Sequence, residues 1–277
     1  MSTSTGEILL SSRARDFDEV SLCETEEFEV AVVSVRSPRK ETSEDGVLVV
    51  ELAAGGIVVC AVDGMGGMRN GREAANVALD TFTERLCAIE EGAAPRAAIV
   101  DAFEMAHDRI RSRCPGGGAT AACAIVTTDW IQALHAGDAE ALLVGAEGQV
   151  KFRTVAHSPV GYAQHVGLLE EEEALIHAER HLVSNGLGVE GMAIHIGPRI
   201  AFEHDDTLVV VSDGVTDNAR ESEIVESLRR GTLMRGTEEL LGLCRDRMLR
   251  SLADESGERT VGKPDDLTLV TVRRKRG

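Results

Sequence analysis

Acidic residues beside glycine or proline stand at the ends of several segments whose composition predicts β-strands. They are Ser43-Glu44-Asp45-Gly46, Asp63-Gly64, Gly137-Asp138, Ser212-Asp213-Gly214 and Pro264-Asp265-Asp266. Each one alone is typical of a tight turn, because an Asp side chain can close a loop onto its own backbone. Together they offer the several oxygen ligands that Mg²⁺ or Mn²⁺ requires, and glycine lets a backbone carbonyl approach such an ion. The pattern predicts an oxygen-rich divalent-cation site, and with only eight His residues and no Cys cluster it disfavours zinc.

Runs of β-branched and aliphatic residues, separated by turn residues, predict the strands that must hold these carboxylates. The predicted strands are 28–35, 47–52, 57–62, 120–128, 130–136, 141–144, 150–155, 208–211 and 267–272. The turn sequences Ala54-Gly55-Gly56 and Glu147-Gly148 predict hairpins between neighbouring strands. Most strands are therefore expected to pair antiparallel.

Apolar residues at three- and four-residue steps predict two pairs of helices. The first pair lies around 75–89 and 99–110, and the second around 221–228 and 237–252. Helices inserted in pairs among antiparallel strands differ from the βαβα alternation of a parallel sheet. The expected fold class is α+β, an antiparallel two-sheet β-sandwich flanked by helix pairs. The expected organisation is a loose N-terminal segment over 1–26, one domain over 27–273 and a basic tail over 274–277.

Charge and composition exclude several classes of function. The 277 residues include 29 Lys plus Arg against 47 Asp plus Glu, a formal net charge of −18 that repels nucleic acid and anionic membranes. The uninterrupted apolar run 57–62 is far shorter than the roughly 20 residues that span a bilayer. Six scattered cysteines without a Cys-x-x-Cys pair predict reduced core thiols. A cytoplasmic protein without nucleic-acid or membrane partners is expected.

Further motifs connect the acidic segments along almost the whole chain. They are Glu44-Asp45, Val62-Asp63-Gly64-Met65-Gly66-Gly67, Gly118-Ala119-Thr120-Ala121, His135-Ala136-Gly137-Asp138, His157-Ser158, Asn185-Gly186-Leu187-Gly188, Ser212-Asp213-Gly214-Val215-Thr216-Asp217 and Asp265-Asp266-Leu267-Thr268. In order and spacing, this series resembles the metal-dependent protein phosphatases of the protein phosphatase 2C family, especially their bacterial single-domain members. The resemblance runs from about residue 30 to residue 272.

The resemblance implies a Mg²⁺- or Mn²⁺-dependent hydrolase that removes phosphate from phosphoserine and phosphothreonine of proteins. The family uses direct attack of a water that bridges two cations, and no phosphoenzyme forms. By the same resemblance, Asp63 would bridge both ions, the Gly64 carbonyl would bind one of them, and Asp213 and Asp265 would bind the other.

Three more acidic residues match supporting positions of the family. Glu44 and Asp45 would hold metal-bound waters, and Asp138 matches a ligand of a third, weaker ion. The implied partners are phosphorylated Ser/Thr proteins, including a cognate Ser/Thr kinase and its targets.

The sequence departs from the family in the residue that clamps the substrate phosphate. Family members usually carry an Arg a few residues before the Glu-Asp pair. Here Arg39 and Lys40 stand five and four residues before Glu44, and the sequence leaves the choice between them open. The distinction has a consequence, because a guanidinium holds two phosphate oxygens whereas an ammonium acts as a point charge.

Other departures concern the metal loops. Position 266 is Asp where Asn is usual, so Asp265 is the expected ligand and Asp266 the reserve. Ala139-Glu140 stands where Ser-Arg is common after Gly137-Asp138. Met65 replaces a His that is a possible general acid in many eukaryotic relatives, so a metal-bound water would have to protonate the leaving group.

The histidines and serines inside these motifs have simpler interpretations. His135 lies in an apolar strand and is expected to be a hydrogen-bonded core residue, not a ligand. His157 falls in a segment that matches the flap bordering the family's active site, where solvation is expected. Neither Ser158 nor Ser212 lies in a nucleophile-elbow pattern, so neither is expected to attack substrate.

Two alternative functions stay open beside a broad Ser/Thr phosphatase. One is a catalytically silent relative that binds phosphoproteins as a regulator, and the other is a stress-response regulator phosphatase with one small protein substrate. The first would be favoured by a missing ligand, and positions 63, 64, 213 and 265 are all filled.

Overall fold

The computed structural model describes residues 6–12, 17–65, 70–90, 92–254 and 261–275. Its strands are β1 (Glu7–Ser12), β2 (Phe17–Glu24), β3 (Phe28–Val35), β4 (Asp45–Glu51), β5 (Ile57–Gly64), β6 (Ala119–Val126), β7 (Trp130–Ala136), β8 (Glu140–Val144), β9 (Val150–Arg153), β10 (His195–Ile196), β11 (Ile200–Ala201), β12 (Thr207–Val211) and β13 (Leu267–Arg274). Its helices are α1 (Gly71–Cys87), α2 (Pro95–Arg113), α3 (Pro159–His165), α4 (Glu171–Ala174), α5 (Asp213–Thr216), α6 (Glu221–Leu228) and α7 (Leu233–Ala253).

The strands form two antiparallel sheets that pack face to face. One sheet has the order β1-β4-β5-β6-β7, with β10 and β11 pairing along the free edge of β7, and the other has the order β2-β3-β13-β12-β8-β9. Helices α1 and α2 cover the outer face of the first sheet, and α6 and α7 cover the outer face of the second. The expected α+β class, a two-sheet sandwich flanked by helix pairs, is confirmed.

The central strand β5 shows why such strands are apolar throughout. Val58 and Cys60 face α1 and α2, whereas Val59 and Ala61 face the other sheet, and all four side chains are fully buried. Successive side chains of a strand point to opposite faces, so a sheet covered on both sides needs apolar residues at every position. The expected hairpins are present, with Gly55 and Gly148 both at positive φ in the turns that precede β5 and β9.

The two ends of the chain differ from expectation. Residues 1–26 were expected to be loose, but β1 pairs with β4 and β2 pairs with β3 at the sheet edges. Edge strands expose one face to water, so polar and acidic residues do not exclude them. At the other end, β13 continues to Arg274, and Lys275 forms an ion pair of 2.6 Å with Glu24 instead of lying in solvent. Residues 276–277 lie outside the described residues.

Sequence patterns also missed the short elements. Strands β10 and β11 have two residues each, and α3, α4 and α5 have seven or fewer, too short for a period to register. Among the described residues, no helix is both long and apolar enough to cross a membrane.

The sandwich brings five loop or strand ends to one edge of the molecule. The start of β4 and the end of β5 come from the first sheet, and the start of β8, the end of β12 and the start of β13 come from the second. Because the two sheets face each other at this edge, acidic residues far apart in sequence converge there.

Candidate active site

The pair Asp45 and Asp63 forms the centre of the acidic cluster. The two residues lie opposite each other in the register of β4 and β5, with Asp45 buried and Asp63 half-buried. Burial and the charge of Asp266 raise the pKa of Asp45 to about 8. Burial and the charge of Asp45 raise the pKa of Asp63 well above its usual value. Two ionised carboxylates this close repel each other unless a cation lies between or beside them.

The second sheet adds three more carboxyls to the cluster. Asp213 begins α5 directly after β12, Asp265 precedes β13, and Asp138 lies in the turn between β7 and β8. Burial and the charge of Asp213 raise the pKa values of both Asp138, to about 8, and Asp265. Their charges also contribute to the raised pKa of Asp63, which places all of them within electrostatic reach of the central pair.

The cluster has the unsatisfied oxygen atoms that a hard cation requires. Asp45 Oδ1 and Asp138 Oδ1 are buried and have no hydrogen-bond partner among the described residues. A buried polar atom without a partner costs free energy unless something else compensates it. The atoms of the carboxyl cluster that could bind a metal are all oxygens, with no imidazole or thiol among them. The residues therefore fit Mg²⁺ or Mn²⁺ and not a softer metal.

Glycines allow the backbone segments of the site to approach each other. A Cβ on Gly64 would lie 2.5 Å from the Gly71 carbonyl oxygen, and one on Gly214 would lie 1.9 Å from the Asp266 carbonyl oxygen. Neither distance is possible for a real side chain, so the two Asp-Gly pairs serve packing as well as turn formation. Gly66 and Gly67 of the same motif lie outside the described residues.

Lys40 lies in the acidic cluster, whereas Arg39 does not. The Nζ of Lys40 donates to Glu44 Oε2 at 2.6 Å and to Asp266 Oδ2 at 2.9 Å. Burial lowers the pKa of Lys40, but the two carboxylates outweigh it and raise the pKa above its usual value. Arg39 is exposed. The geometry favours Lys40 as the residue that faces a bound phosphate.

Asp265 and Asp266 share Lys40 as a neighbour, at 3.8 and 2.9 Å, but differ in their other partners. Both oxygens of Asp266 are used by the β3–β4 loop, since Oδ1 accepts from the Ser37 amide at 2.7 Å and Oδ2 accepts from the Glu44 amide at 2.8 Å and from Lys40. Asp265 instead lies beside Asp213. The geometry favours Asp265 as the cation ligand and gives Asp266 the role of fixing the loop that carries Lys40 and Glu44.

Ser212 acts as a hydrogen-bond relay to the central pair. Its hydroxyl donates to Asp45 Oδ2 at 2.7 Å and accepts from the Thr268 amide at 2.9 Å. Ser212 is fully buried, and its contacts position a carboxylate. This agrees with the expectation that it is not a nucleophile.

Glu140 stands where an Arg is common in the family, and its negative charge is paired with Arg153. Arg153 contacts both oxygens of Glu140, at 2.7 and 3.1 Å, and also reaches Glu221 at 3.1 Å. These three residues line a cavity of about 350 Å³ between the cluster and the segment 159–196, which is called the flap below. A smaller adjoining cavity reaches Asp138 and Asp213, so the two connect the acidic cluster with the flap.

Sequence reasoning missed Lys263. Its Nζ lies 2.5 Å from Asp213 Oδ2, 2.8 Å from Asp217 Oδ2 and 3.0 Å from Asp265 Oδ2. Burial lowers the pKa of Lys263, and the charges of Asp213, Asp217 and Asp265 outweigh this and raise it. One signal in the sequence could have pointed to it. The chain has only four lysines, and Lys263 stands two positions before the predicted ligand Asp265.

Three histidines form a second polar cluster next to the carboxyls, in which His135 and His157 are buried and His195 is exposed. His135, His157 and His195 offer ring nitrogens within 4.8 Å of one another. His157 Nδ1 accepts from the Gly137 amide at 3.1 Å and lies 2.8 Å from Asn185 Nδ2, so its proton is on Nε2. The rings of His135 and His157 are stacked, with their centroids 4.3 Å apart and their planes at 23°.

The two buried rings of this cluster, His135 and His157, are neutral, and the Nδ1 atom of His135 has no hydrogen-bond partner among the described residues. Burial lowers the pKa of His135, and burial together with the neighbouring imidazoles lowers the pKa of His157 to about 3. His135 is buried and its Nε2 lies 2.9 Å from the Val155 carbonyl oxygen, which agrees with the expected hydrogen-bonded core residue. His157 differs from expectation, because it is buried and not solvated.

A protein-family comparison assigns this fold and cluster to a known class. The family described as protein phosphatase 2C matches residues 36–253. The chain belongs to the protein phosphatase 2C family, and it is a phosphatase, a hydrolase.

Individual relatives are similar in sequence and in fold. The serine/threonine phosphatase stp of Listeria monocytogenes serotype 4b is 26% identical over 181 residues, which cover 62% of this chain and 71% of that protein. The serine/threonine phosphatase of S. agalactiae has a TM-score of 0.74 at 23% identity, with 90% of this chain and all of that chain covered. The catalytic domain of the phosphatase PstP, solved with two manganese ions, has a TM-score of 0.69 at 20% identity, with 90% of this chain and 99% of that chain covered.

Proposed function

We propose that this protein is a Mn²⁺- or Mg²⁺-dependent serine/threonine phosphatase that acts on phosphoproteins. The observation that carries the metal dependence is the buried carboxyl cluster around Asp63, with orphaned oxygens on Asp45 and Asp138. Such a cluster is stable in its ionised form only with cations among the carboxylates. The two manganese ions in the solved PstP domain support two primary sites.

We assign the primary ligands to Asp63, the Gly64 carbonyl, Asp213 and Asp265, as the family resemblance implies. Bound cations would supply an activated water and neutralise the charge on the phosphoryl oxygens. Asp63 lies at the centre of the cluster, where burial and neighbouring carboxyls favour its sharing by two ions. Asp138 lies at the edge next to Asp213, which supports its role at a third, weaker site.

The remaining residues orient water and phosphate. Glu44 and Asp45 accept hydrogen bonds, from Lys40 and Ser212 respectively, so each carboxylate has a fixed direction in which to hold a water. Lys40 provides the positive charge nearest to Glu44, and a phosphate dianion that arrives there would compete with Glu44 and Asp266 for its ammonium.

Relatives support the substrate class. Those similar in sequence bear the name serine/threonine phosphatase, so we propose phosphoserine and phosphothreonine proteins as substrates, including a cognate Ser/Thr kinase and its targets. The net charge of −18 argues against nucleic acid as a partner, and we propose a cytoplasmic location. A phosphatase dedicated to one small phosphorylated protein remains the narrower form of the same proposal.

Hydrolysis of a phosphothreonine peptide by metal-stripped protein, with and without added Mn²⁺ or Mg²⁺, tests the metal dependence. We expect turnover only with a divalent cation and its loss on addition of chelator. Turnover that resists chelation would refute the metal mechanism. A phosphotyrosine peptide of the same sequence is the control for substrate class, and a whole phosphorylated lysate separates a broad phosphatase from a dedicated one.

Replacement of Asp138 by Ala tests the third site. Calorimetric titration of the Asp138→Ala variant with Mn²⁺ should show the tight sites retained while turnover is slower. Loss of the tight sites would instead place Asp138 among the primary ligands.

A further inference from the structure

The ammonium of Lys263 lies among the carboxylates that the second sheet contributes to the cluster. Three carboxylates, from Asp213, Asp217 and Asp265, lie within 2.5 to 3.0 Å of Nζ. Asp213 and Asp265 are two of the proposed ligands of one cation. The ammonium donates a hydrogen bond to Asp213 Oδ2, and Asp217 and Asp265 add the attraction of two further carboxylates.

The position of Lys263 is fixed by its backbone and not only by its charge. The side-chain amide of Asn218 donates to the Lys263 carbonyl at 2.9 Å and accepts from the Lys263 amide at 2.9 Å. Asn218 is itself fully buried and also donates to the Gly214 carbonyl at 2.9 Å. The loop before β13 is thus tied to the Asp213-Gly214 turn, which holds the lysine side chain against the carboxylates.

Lys263 and a divalent cation compete for the same carboxylates. An ammonium nitrogen 2.5 Å from a carboxylate oxygen occupies one of its lone pairs, and an ion on that oxygen at the 2.0 to 2.1 Å typical of Mg²⁺ would place two positive charges so close that they repel each other. The side chain of Lys263 has four flexible carbons and can leave this place while Asn218 keeps its backbone fixed.

We propose that Lys263 is a built-in competitor of the divalent cation that Asp213 and Asp265 hold, so that this ion binds only by displacing the ammonium. The proposal rests on the cation site of the proposed function. It makes one of the two ions weaker than the other and gives the metal-free protein an internal counter-ion for its carboxylates. Binding of this ion also requires movement of a side chain on the loop that contacts the flap, since Arg180 donates to the Gly262 carbonyl at 3.2 Å.

The first test is calorimetric titration of metal-stripped protein with MnCl₂. We expect Lys263→Met, which keeps the length and removes the charge, to tighten the weaker Mn²⁺ site by at least about tenfold. Lys263→Arg should not tighten it. The matched control is Lys275→Met, which removes one positive charge from the ion pair with Glu24 at the far end of β13.

Each outcome of the titration is decisive. Equal or weaker Mn²⁺ binding by Lys263→Met overturns the competition, whereas the proposed metal dependence survives. Absence of Mn²⁺ binding in both wild type and variant refutes the metal centre itself and the competition with it.

The second test uses the wild-type protein and so does not depend on the folding of a variant. Acetic anhydride labels lysine amines, and mass spectrometry of the four lysines reports the accessibility of each. We expect saturating Mn²⁺ to raise the labelling of Lys263 several-fold while Lys275 stays unchanged. Labelling of Lys263 that does not change on addition of Mn²⁺ would show that the ammonium keeps its place and would overturn the proposal.

Discussion

Two polar clusters lie side by side at the active edge of the sandwich, and they differ in their charge. In the carboxyl cluster, burial and neighbouring charges raise the pKa values of Asp45 and Asp63, and orphaned oxygens remain. In the histidine cluster, burial lowers the pKa of His157, and backbone and amide groups use its Nδ1. The first cluster holds an excess of acidic groups, whereas His135 and His157 are neutral and leave one orphaned atom, His135 Nδ1.

The comparison separates the two clusters by their charge. Both clusters hold residue types that bind metals, and residue type alone would rank three histidines as a strong candidate. Repulsion between like charges favours cation binding in the carboxyl cluster, whereas neutral imidazoles gain no such relief from a cation. The Lys40 and Lys263 ammoniums reinforce the contrast, because both contact the carboxyl cluster.

The largest expected effect comes from the centre of the carboxyl cluster. Asp63→Asn should reduce kcat at least about 1000-fold, because it removes the carboxylate proposed to bind both cations. The melting temperature of the metal-free variant should equal or exceed that of wild type, since one buried like charge is gone. Phosphopeptide turnover and a thermal melt measure the two effects.

Asp129→Asn is the matched control for this substitution, because Asp129 is exposed in the turn before β7. It should leave both turnover and melting temperature unchanged. An Asp63→Asn variant with wild-type activity would show that the active site is not in the carboxyl cluster, and the contrast between the two clusters would then be wrong.

Removal of the His157 ring should affect folding more than metal binding. His157→Ala leaves the buried Gly137 amide without its acceptor, and we expect the free energy of unfolding to fall by ~2–3 kcal/mol. The tight Mn²⁺ sites should keep their affinity. Urea denaturation and calorimetry measure these quantities, and exposed His204 provides the control variant His204→Ala. Loss of tight Mn²⁺ binding in His157→Ala would contradict the separation of the two clusters.

The stability that His157 contributes should depend on pH with a defined sign. Its pKa is about 3 in the folded protein and near the ordinary 6.5 when unfolded, so the unfolded chain binds more protons between these values. Its contribution is therefore fully present above pH 6.5 and is lost as the pH falls towards 3. The difference in unfolding free energy between wild type and His157→Gln, measured in excess chelator, should shrink from pH 7 to pH 4.

The carboxyls with raised pKa values give stability the opposite dependence on pH. Their contribution is common to wild type and His157→Gln, so it cancels in the difference between the two unfolding free energies. A difference that is constant over this pH range would show that folding leaves the pKa of His157 unshifted. The description of this ring as neutral at pH 4 in the folded protein would then be wrong.

The smallest expected effect lies at the edge of the carboxyl cluster. Lys40→Ala should raise the KM for phosphopeptide about tenfold, because it removes the charge that faces the phosphate. Lys40→Arg should keep or improve KM, and Arg39→Ala should be nearly silent because Arg39 is exposed. The reverse ranking would assign the phosphate to Arg39. Two silent Ala variants would show that the cations alone hold it.

The amino-acid sequence determined the architecture of the sandwich and the chemistry of its active edge. Strands β3 and β7 and helix α6 begin and end where the apolar patterns predict, because each buries a face long enough to show its period. Acidic residues beside glycine indicated the proposed cation site, since turn formation and ion binding both favour that combination. Edge strands β1 and β2 gave no such signal, because their hydrogen-bond partners come from strands elsewhere in the chain.

Only the tertiary structure decided between residues that are neighbours in sequence. Lys40 faces the carboxyls and Arg39 faces solvent, and Asp265 lies beside Asp213 while Asp266 binds the loop before β4. Lys263 acquires its role only when the loop before β13 folds against the Asp213-Gly214 turn, about fifty residues earlier in the chain. Spacing along a chain indicates which types of residue can meet. The direction of each side chain and its distance from the others depend on how the two sheets pack, and no local sequence pattern contains that information.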